Sequence, residues 1–263
     1  MIESYGETDS IKTFLTSAYE TLLLEYSFWM NETLGHCVTM PAADNNGATN
    51  ISAYRLNRYY SNYTTPRPES YLQDYDNAHA ASAEQSLAAY YQQIRAGAET
   101  GWDFSSRWIR SSSSSSGYNL TNIHTNEVIP VDLNSIMYRF ELNIASLATV
   151  LSSWAPTTTT STTTPVDYIT QAESFTQAAQ NRSIAIDLFL WDATSKHWRD
   201  YNLTSQQWTH NSEAAAQEFN LLSQHSSAGP NSRATTTITF SATASTGTVS
   251  DTGVSYVSVA YWL

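Results

Sequence analysis

Four stretches of this chain repeat apolar residues every three to four positions, and that spacing confines it to a helical architecture. In residues 12–30, Leu15, Ala18, Tyr19, Leu22, Tyr26 and Trp29 form one stripe, with Asp9 or Ser10 available to cap its start. A second helix is predicted over 74–99, turning Ala80, Ala83, Leu87, Tyr91, Ile94 and Ala98 to one side, with Gly101 as a left-handed terminator. A third, over 133–154, carries Ile136, Met137, Phe140, Ile144, Leu147 and Val150 or Leu151 inward. A fourth, over 165–191, does the same with Ile169, Ala172, Phe175, Ala179, Ile186 and Leu190. Strands are too few for a sandwich, and helices do not alternate with strands as a parallel sheet requires. The expected class is all-α.

The segments between these helices are long. Residues 31–68 read as one irregular excursion rich in Gly, Asn and Pro, longer than a structural connection needs, and long ordered loops often carry function. The tract 156–165 is nearly all Thr, residues 111–116 are all Ser, and 223–252 is low in complexity. No internal repeat is visible. The last stretch, 253–263, has weak strand character and stops on an apolar Tyr-Trp-Leu, which suggests a sequence cut off from a longer one. Residues 1–263 are therefore read as a single, partial helical domain.

Charge narrows the partners. The net charge is −12 with only 12 Lys and Arg, so the clustered cations of a nucleic-acid surface are missing. Tyr and Trp are abundant, at 17 and 8. Sugar C–H faces stack on aromatic rings and sugar hydroxyls bond to carboxylates and guanidinium groups, so the balance suits a neutral carbohydrate, although acidic surfaces also serve plain solubility. Cys37 is the single cysteine, which rules out an intrachain disulfide. Sequons begin at Asn31, Asn50, Asn62, Asn119, Asn181 and Asn202, and favour a secretory or vacuolar/lysosomal route and a glycoprotein. A signal peptide is not present, and apolar runs fall short of the roughly 18 residues of a membrane span.

Three short segments carry candidate chemistry. LNRYYSNYTTPRPESY (56–71) sets Arg58, Arg67 and Glu69 among tyrosines, with Pro66 and Pro68 to stiffen the turn. An arginine beside a carboxylate can hold vicinal hydroxyls or orient an acid; it can equally be a loop salt bridge. AETGWDFSSRW (98–108) places Asp103 beside Trp102, Phe104 and Trp108. A carboxyl against aromatic walls loses hydration and stays protonated near neutral pH, as a general acid must. The alternative is an Asp capping the next turn, with Trp102 and Trp108 as core. IPVDLN (129–134) reads structurally, with Asp132 as a helix cap after Pro130.

Together these segments resemble the trehalases of glycoside hydrolase family 37. LLLEYSFWM (22–30), LNRYY, PRPESY (66–71), AETGWDFSSRW and IPVDLN occur in the family's order, and FLWDATSKHWRDYNL (189–203) resembles its segment where a Leu-Trp helix end leads into an Asp-Tyr turn. The resemblance implies part of an (α/α)6 barrel that hydrolyses α,α-trehalose with inversion, without metal or cofactor. It implies Asp103 as general acid, and Arg67, Glu69, Arg58 and Trp102 as sugar contacts. An inverting enzyme also needs a second carboxylate roughly 6.5–9.5 Å away to activate water. The family's base, a glutamate downstream of the Asp-Tyr segment, is not identified here; its PGGRF-type and Gln-Trp-Asp signatures are also missing. The expectation is an incomplete trehalase, inactive alone. A non-catalytic sugar-binding relative is the alternative, and a different (α/α)6 glycosidase fits PRPESY and GWDFSSRW less well. The residues set no oligomeric state.

Overall fold

The computed structural model describes residues 8–41, 53–80, 85–110, 120–154 and 167–209. Helices dominate them, and the all-α expectation holds. In chain order they are α1 (Asp9–Met30), α2 (Tyr71–Ala80), α3 (Leu87–Glu99), α4 (Val131–Ser153) and α5 (Tyr168–Leu190). Short strand pairs fill the connections: β1 (Cys37–Pro41), β2 (Ala53–Asn57), β3 (Val128–Ile129), β4 (Trp191–Asp192), β5 (His197–Trp198), β6 (Tyr201–Asn202) and β7 (Gln207–Trp208). The Thr tract, the Ser run, the 223–252 segment and the apolar end lie outside the described residues.

The α4–α5 pair is the spine. The N-terminal end of α4, at Val131, packs with the C-terminal end of α5, at Ile186 and Leu190. At the other end Leu151 and Trp154 meet Tyr168 and Phe175, so the two helices run antiparallel. Helix α1 lies against the far half of α4, its Tyr19 seated among Ile144, Ala148 and Leu151. The third cluster holds α3 and the loops that follow it: Tyr90, Tyr91, Ile94, Trp108, Ile123 and Met137.

Several expectations change. The start of α1 is capped by Thr8, whose hydroxyl accepts from the Ile11 amide at 3.3 Å, and not by Asp9 or Ser10. The single helix expected over 74–99 is two. Ser86 sits in extended backbone and accepts from the Ala89 amide at 3.2 Å, so it starts a new helix there. The stripe drawn through Ala80 and Leu87 is accordingly not a core face; Leu87 is exposed, as are Ile136 and Ile169 on the later helices. Gly101 is left-handed at φ +69°, as expected. Helix α5 is capped by Asp167, which accepts from the Thr170 amide at 3.1 Å.

The excursion 31–68 is partly regular. β1 and β2 pair antiparallel, Val38 opposite Leu56 and Met40 opposite Tyr54, which puts Met40, Tyr54 and Leu56 in the core. Cys37, on β1, is buried, and burial pushes its thiol up. A ten-residue repeat also exists. WDATSKHW (191–198) and YNLTSQQW (201–208) form successive hairpins, β4–β5 and β6–β7, with Trp198 opposite Trp191 and Trp208 opposite Tyr201. In each, an Asp or Asn oxygen accepts from the amides two and three residues on: Asp192 from Thr194 and Ser195, Asn202 from Thr204 and Ser205. Lys196 and Gln206 then take positive φ, 57° and 55°. Few of the ten positions keep their identity, which is why the repeat is invisible as letters.

Candidate functional site

The segment around Asp103 is a tight turn hung between two buried anchors. On its N-terminal side, the Thr100 hydroxyl donates to the Gly97 carbonyl at 2.7 Å and accepts from the Trp102 amide at 2.9 Å. On its C-terminal side, the buried Trp108 indole N–H donates to the Trp102 carbonyl at 3.1 Å, and the Ser105 amide donates to the same carbonyl at 3.1 Å. Asp103 and Phe104 are the two residues inside that loop. Phe104 is forced to φ +55°, a backbone region that bulky residues avoid and that clusters at functional sites.

Asp103 itself is exposed. The aromatic wall expected around it does not form among the described residues, because Trp108 points into the core at 1% exposure while Trp102 lies open at 40%. Neither is Asp103 a cap: the short 3-10 turn Ser106–Trp108 is capped by Ser105, which accepts from the Arg107 amide. Of the two readings from local sequence, only the place of Trp108 in the core holds. Within the turn, Phe104 is half-buried and turns its ring toward α3. A Cβ on Gly97 of α3 would stand 3.4 Å from the Phe104 ring and 3.1 Å from the Ile123 side chain, so the ring lies close to the helix at that point.

Arg67 approaches Phe104 from the PRPESY segment, its guanidinium carbon 5.0 Å from the ring centroid. Its fork is closed by Asp74 on α2 and not by Glu69: Nε to Oδ2 is 2.9 Å, Nη2 to Oδ1 is 2.8 Å, and the Arg67 amide also donates to Oδ2 at 3.0 Å. The Asp74 bonds hold the Arg67 charge above the ordinary guanidinium value. Glu69 lies exposed in the 3-10 turn Pro68–Ser70. Arg95, from α3, pins the preceding backbone by donating to the Thr65 and Pro66 carbonyls at 2.9 and 2.7 Å.

Arg58 serves the interior. Its Nε donates to the Gly35 carbonyl at 2.9 Å and Nη1 to the Asn126 carbonyl at 2.7 Å, with the guanidinium 4.5 Å over the Tyr60 ring. Burial lowers its pKa. Tyr60 packs on Gly35, which sits at φ +83° and has no room for a side chain there.

Asp132 is the clearest correction. The N-cap position of α4 is Pro130, and Asp132 is drawn instead into a buried ion triad. Arg107 meets Asp132 through Nη1 and Nη2 at 2.7 and 2.8 Å, and Asp200 through Nε and Nη2 at 2.6 and 2.7 Å. Asp200 accepts as well from the Val131 amide at 3.0 Å. Burial opposes the Arg107 charge, yet the two carboxylates raise its pKa well above normal. Three of the motif segments, FSSRW, IPVDLN and RDYN, are thereby tied into one knot directly behind the Asp103 turn. Among the described residues, no cluster of His, Cys, Asp and Glu could hold a metal ion, and no helix is long and apolar enough to cross a membrane.

The described residues define a helical protein in which an exposed turn carrying Trp102 and Asp103 meets Arg67 through Phe104 and is followed by a buried charge knot at Arg107. The family model for trehalase matches residues 1–260, and the chain belongs to the trehalase family. It is 36% identical over 188 residues to a protein described as "Probable trehalase" from Oryza sativa subsp. japonica, covering 72% of this chain and 28% of that one. It is 36% identical over 205 residues to "Trehalase" from Dictyostelium discoideum, covering 77% of this chain and 30% of that one. This chain thus spans less than a third of the length of either relative. Among solved structures, "Neutral trehalase Nth1 from Saccharomyces cerevisiae" aligns at 17% identity and TM-score 0.40, over 78% of this chain and 35% of that one.

Proposed function

We propose that this chain carries the acid side of an active site that hydrolyses α,α-trehalose to two glucose molecules with inversion. The observation that carries the reading is the meeting of PRPESY and GWDFSSRW, where the Arg67 guanidinium lies 5.0 Å over the ring of the residue next to Asp103. Asp103 protonates the glycosidic oxygen as its bond to carbon breaks. Trp102, exposed beside it, offers a ring face to a sugar C–H face, and Glu69 offers an acceptor to its hydroxyls. A disaccharide seated over Trp102 would displace water from around Asp103. Arg58, bonded to backbone carbonyls, supports the loop from beneath. The general base that activates water on the opposite sugar face is not assigned to a residue of this chain, and the remaining helices of an (α/α)6 barrel belong to the same proposal.

The sequons support a secretory or vacuolar/lysosomal route for the complete protein. Asn31 and Asn62 are exposed, and the side-chain oxygens of Asn31 and Asn202 are each engaged in a local turn.

Inversion gives the test. Water attacking the anomeric carbon from the far side yields one β-glucose while the departing sugar keeps its α configuration. Proton NMR of the first turnovers by the protein expressed from the complete open reading frame is expected to show equal α and β signals before mutarotation. Release of α-glucose alone would exclude inversion, and no glucose at all would favour a sugar-binding role.

A further inference from the structure

The buried carboxylate of Asp74 has a place in this arrangement that the three motif segments did not suggest. It lies in the first turn of α2, 1% exposed, and all three of its hydrogen bonds from Arg67 converge on it: one backbone amide and two guanidinium nitrogens. Such a bidentate pair fixes the plane of a guanidinium as well as its position. The plane matters here, because the next contact along is the face of Phe104, 5.0 Å away. Phe104 in turn lies beside Gly97 of α3 and occupies a positive φ that only surrounding contacts sustain. Asp103 shares its turn. The order of contact is therefore Asp74, Arg67, Phe104, and then the backbone that presents the Asp103 carboxyl.

We infer that Asp74 is a positioning residue for the proposed hydrolysis: it orients Arg67 toward the sugar and, through the Phe104 ring, sets the turn that aims Asp103. The inference rests on the proposed function. Two features distinguish this role from simple support. The clamp is made on one edge of the guanidinium, through Nε and Nη2, and among the described residues no second carboxylate pairs with Arg67, whereas Arg107 is held by two. The strained residue, Phe104, also lies at the end of the contact chain that abuts the acid.

Asp74→Asn keeps the size of the side chain but removes the charge and one of the two acceptors of the fork. In the protein from the complete open reading frame, this variant is expected to raise KM for trehalose and lower kcat together, with kcat/KM down about 10- to 100-fold, the scale of a misplaced catalytic group. A role in folding alone would reduce the active fraction, lowering kcat at unchanged KM, and that result would overturn the inference. The second measurement is a double-mutant cycle with Arg67→Ala. Acting through Arg67, Asp74→Asn is expected to cost less than about threefold more once Arg67 is gone, whereas full additivity overturns the inference. Phe104→Leu in the same cycle repeats the test without touching a buried charge, so a poorly folding Asp74 variant does not end it. Wild-type turnover in both Arg67→Ala and Asp103→Asn is a different outcome: it removes the proposed function itself.

Discussion

Arg107 and Arg67 are each gripped bidentately by aspartate, yet one grip is closed and the other open. Arg107 has a carboxylate on both edges, from Asp132 and Asp200, and its side chain is 4% exposed. Arg67 has Asp74 on one edge, an aromatic ring beneath and 11% exposure. The sealed triad carries an excess of negative charge that is absorbed by the Val131 and Leu133 amides. It has no face left with which to meet a ligand. The open pair keeps a cation against Phe104, the residue next to Asp103. The difference teaches that a buried bidentate arginine is not by itself a sign of function; the unshared side of the guanidinium is.

The sharpest break in that comparison is expected from removing the sealed cation. Arg107→Ala leaves two carboxylates buried without a partner and is expected to destabilise the protein by about 3–5 kcal/mol in chemical denaturation, the scale for breaking a buried ion pair. A loss below about 1 kcal/mol would mean that water reaches the triad, contrary to its burial. Lysine at the two positions separates them further. Arg107→Lys cannot serve two forks and is expected to cost about 1.5–3 kcal/mol, the worth of a lost charge-assisted bond, whereas Arg67→Lys retains a cation beside Asp74 and loses less. Activity should rank the other way among properly folded samples, with Arg67→Lys well below wild type and Arg107→Lys retaining a larger share. Equal stability losses at both sites would erase the distinction.

The smallest effect concerns pH. Burial would raise the Glu127 carboxyl, but hydrogen bonds and charge from His124, with Thr204 and Arg110, bring it from 4.5 to about 2. Asp192, held by Ser195, its turn amides and Arg199, falls from 3.8 to about 2. A lowered folded-state value means that the ionised form is favoured by the fold. Its contribution is complete above the ordinary value and disappears as pH falls through the folded value. Thermal stability is therefore expected to hold down to about pH 4.5 and to decline between there and about pH 2, with the hairpins that contain Asp192 and Asn202 opening in that window. Amide exchange in residues 191–208 reads it; protection there that is unchanged at pH 2 would contradict the assignment.

The helices were legible because core contacts recur at the helical period: Tyr19, Tyr26, Ile144 and Ile186 face inward as their spacing required. The break before α3 was not, since an alanine-rich run keeps that period across a capping serine as well as through a helix. The hairpin at Cys37–Pro41 and Ala53–Asn57 was hidden because five residues give too little alternation to stand out. The proposed site residues Asp103, Arg67 and Glu69 come from likeness to a family, while their surroundings were misjudged from neighbours in sequence. Asp74, Asp132 and Asp200 show why: each answers an arginine, two of them across 25 and 93 residues, and only tertiary packing reveals which charge faces which. Asp132 was taken for the cap by its place before a helix, but the helix already starts at Val131, and Asp132, inside its first turn, accepts from the Leu133 amide and pairs with Arg107.

The central claim is that the exposed carboxyl of Asp103, in a turn set from below by Phe104 and Arg67, donates the proton in trehalose cleavage. Its most direct test is the rate of glucose release from trehalose by Asp103→Asn in the protein from the complete open reading frame. Turnover is expected to fall roughly 10²-fold or more, the usual contribution of a general acid, with the melting temperature unchanged because Asp103 is exposed. Turnover equal to wild type would contradict the account.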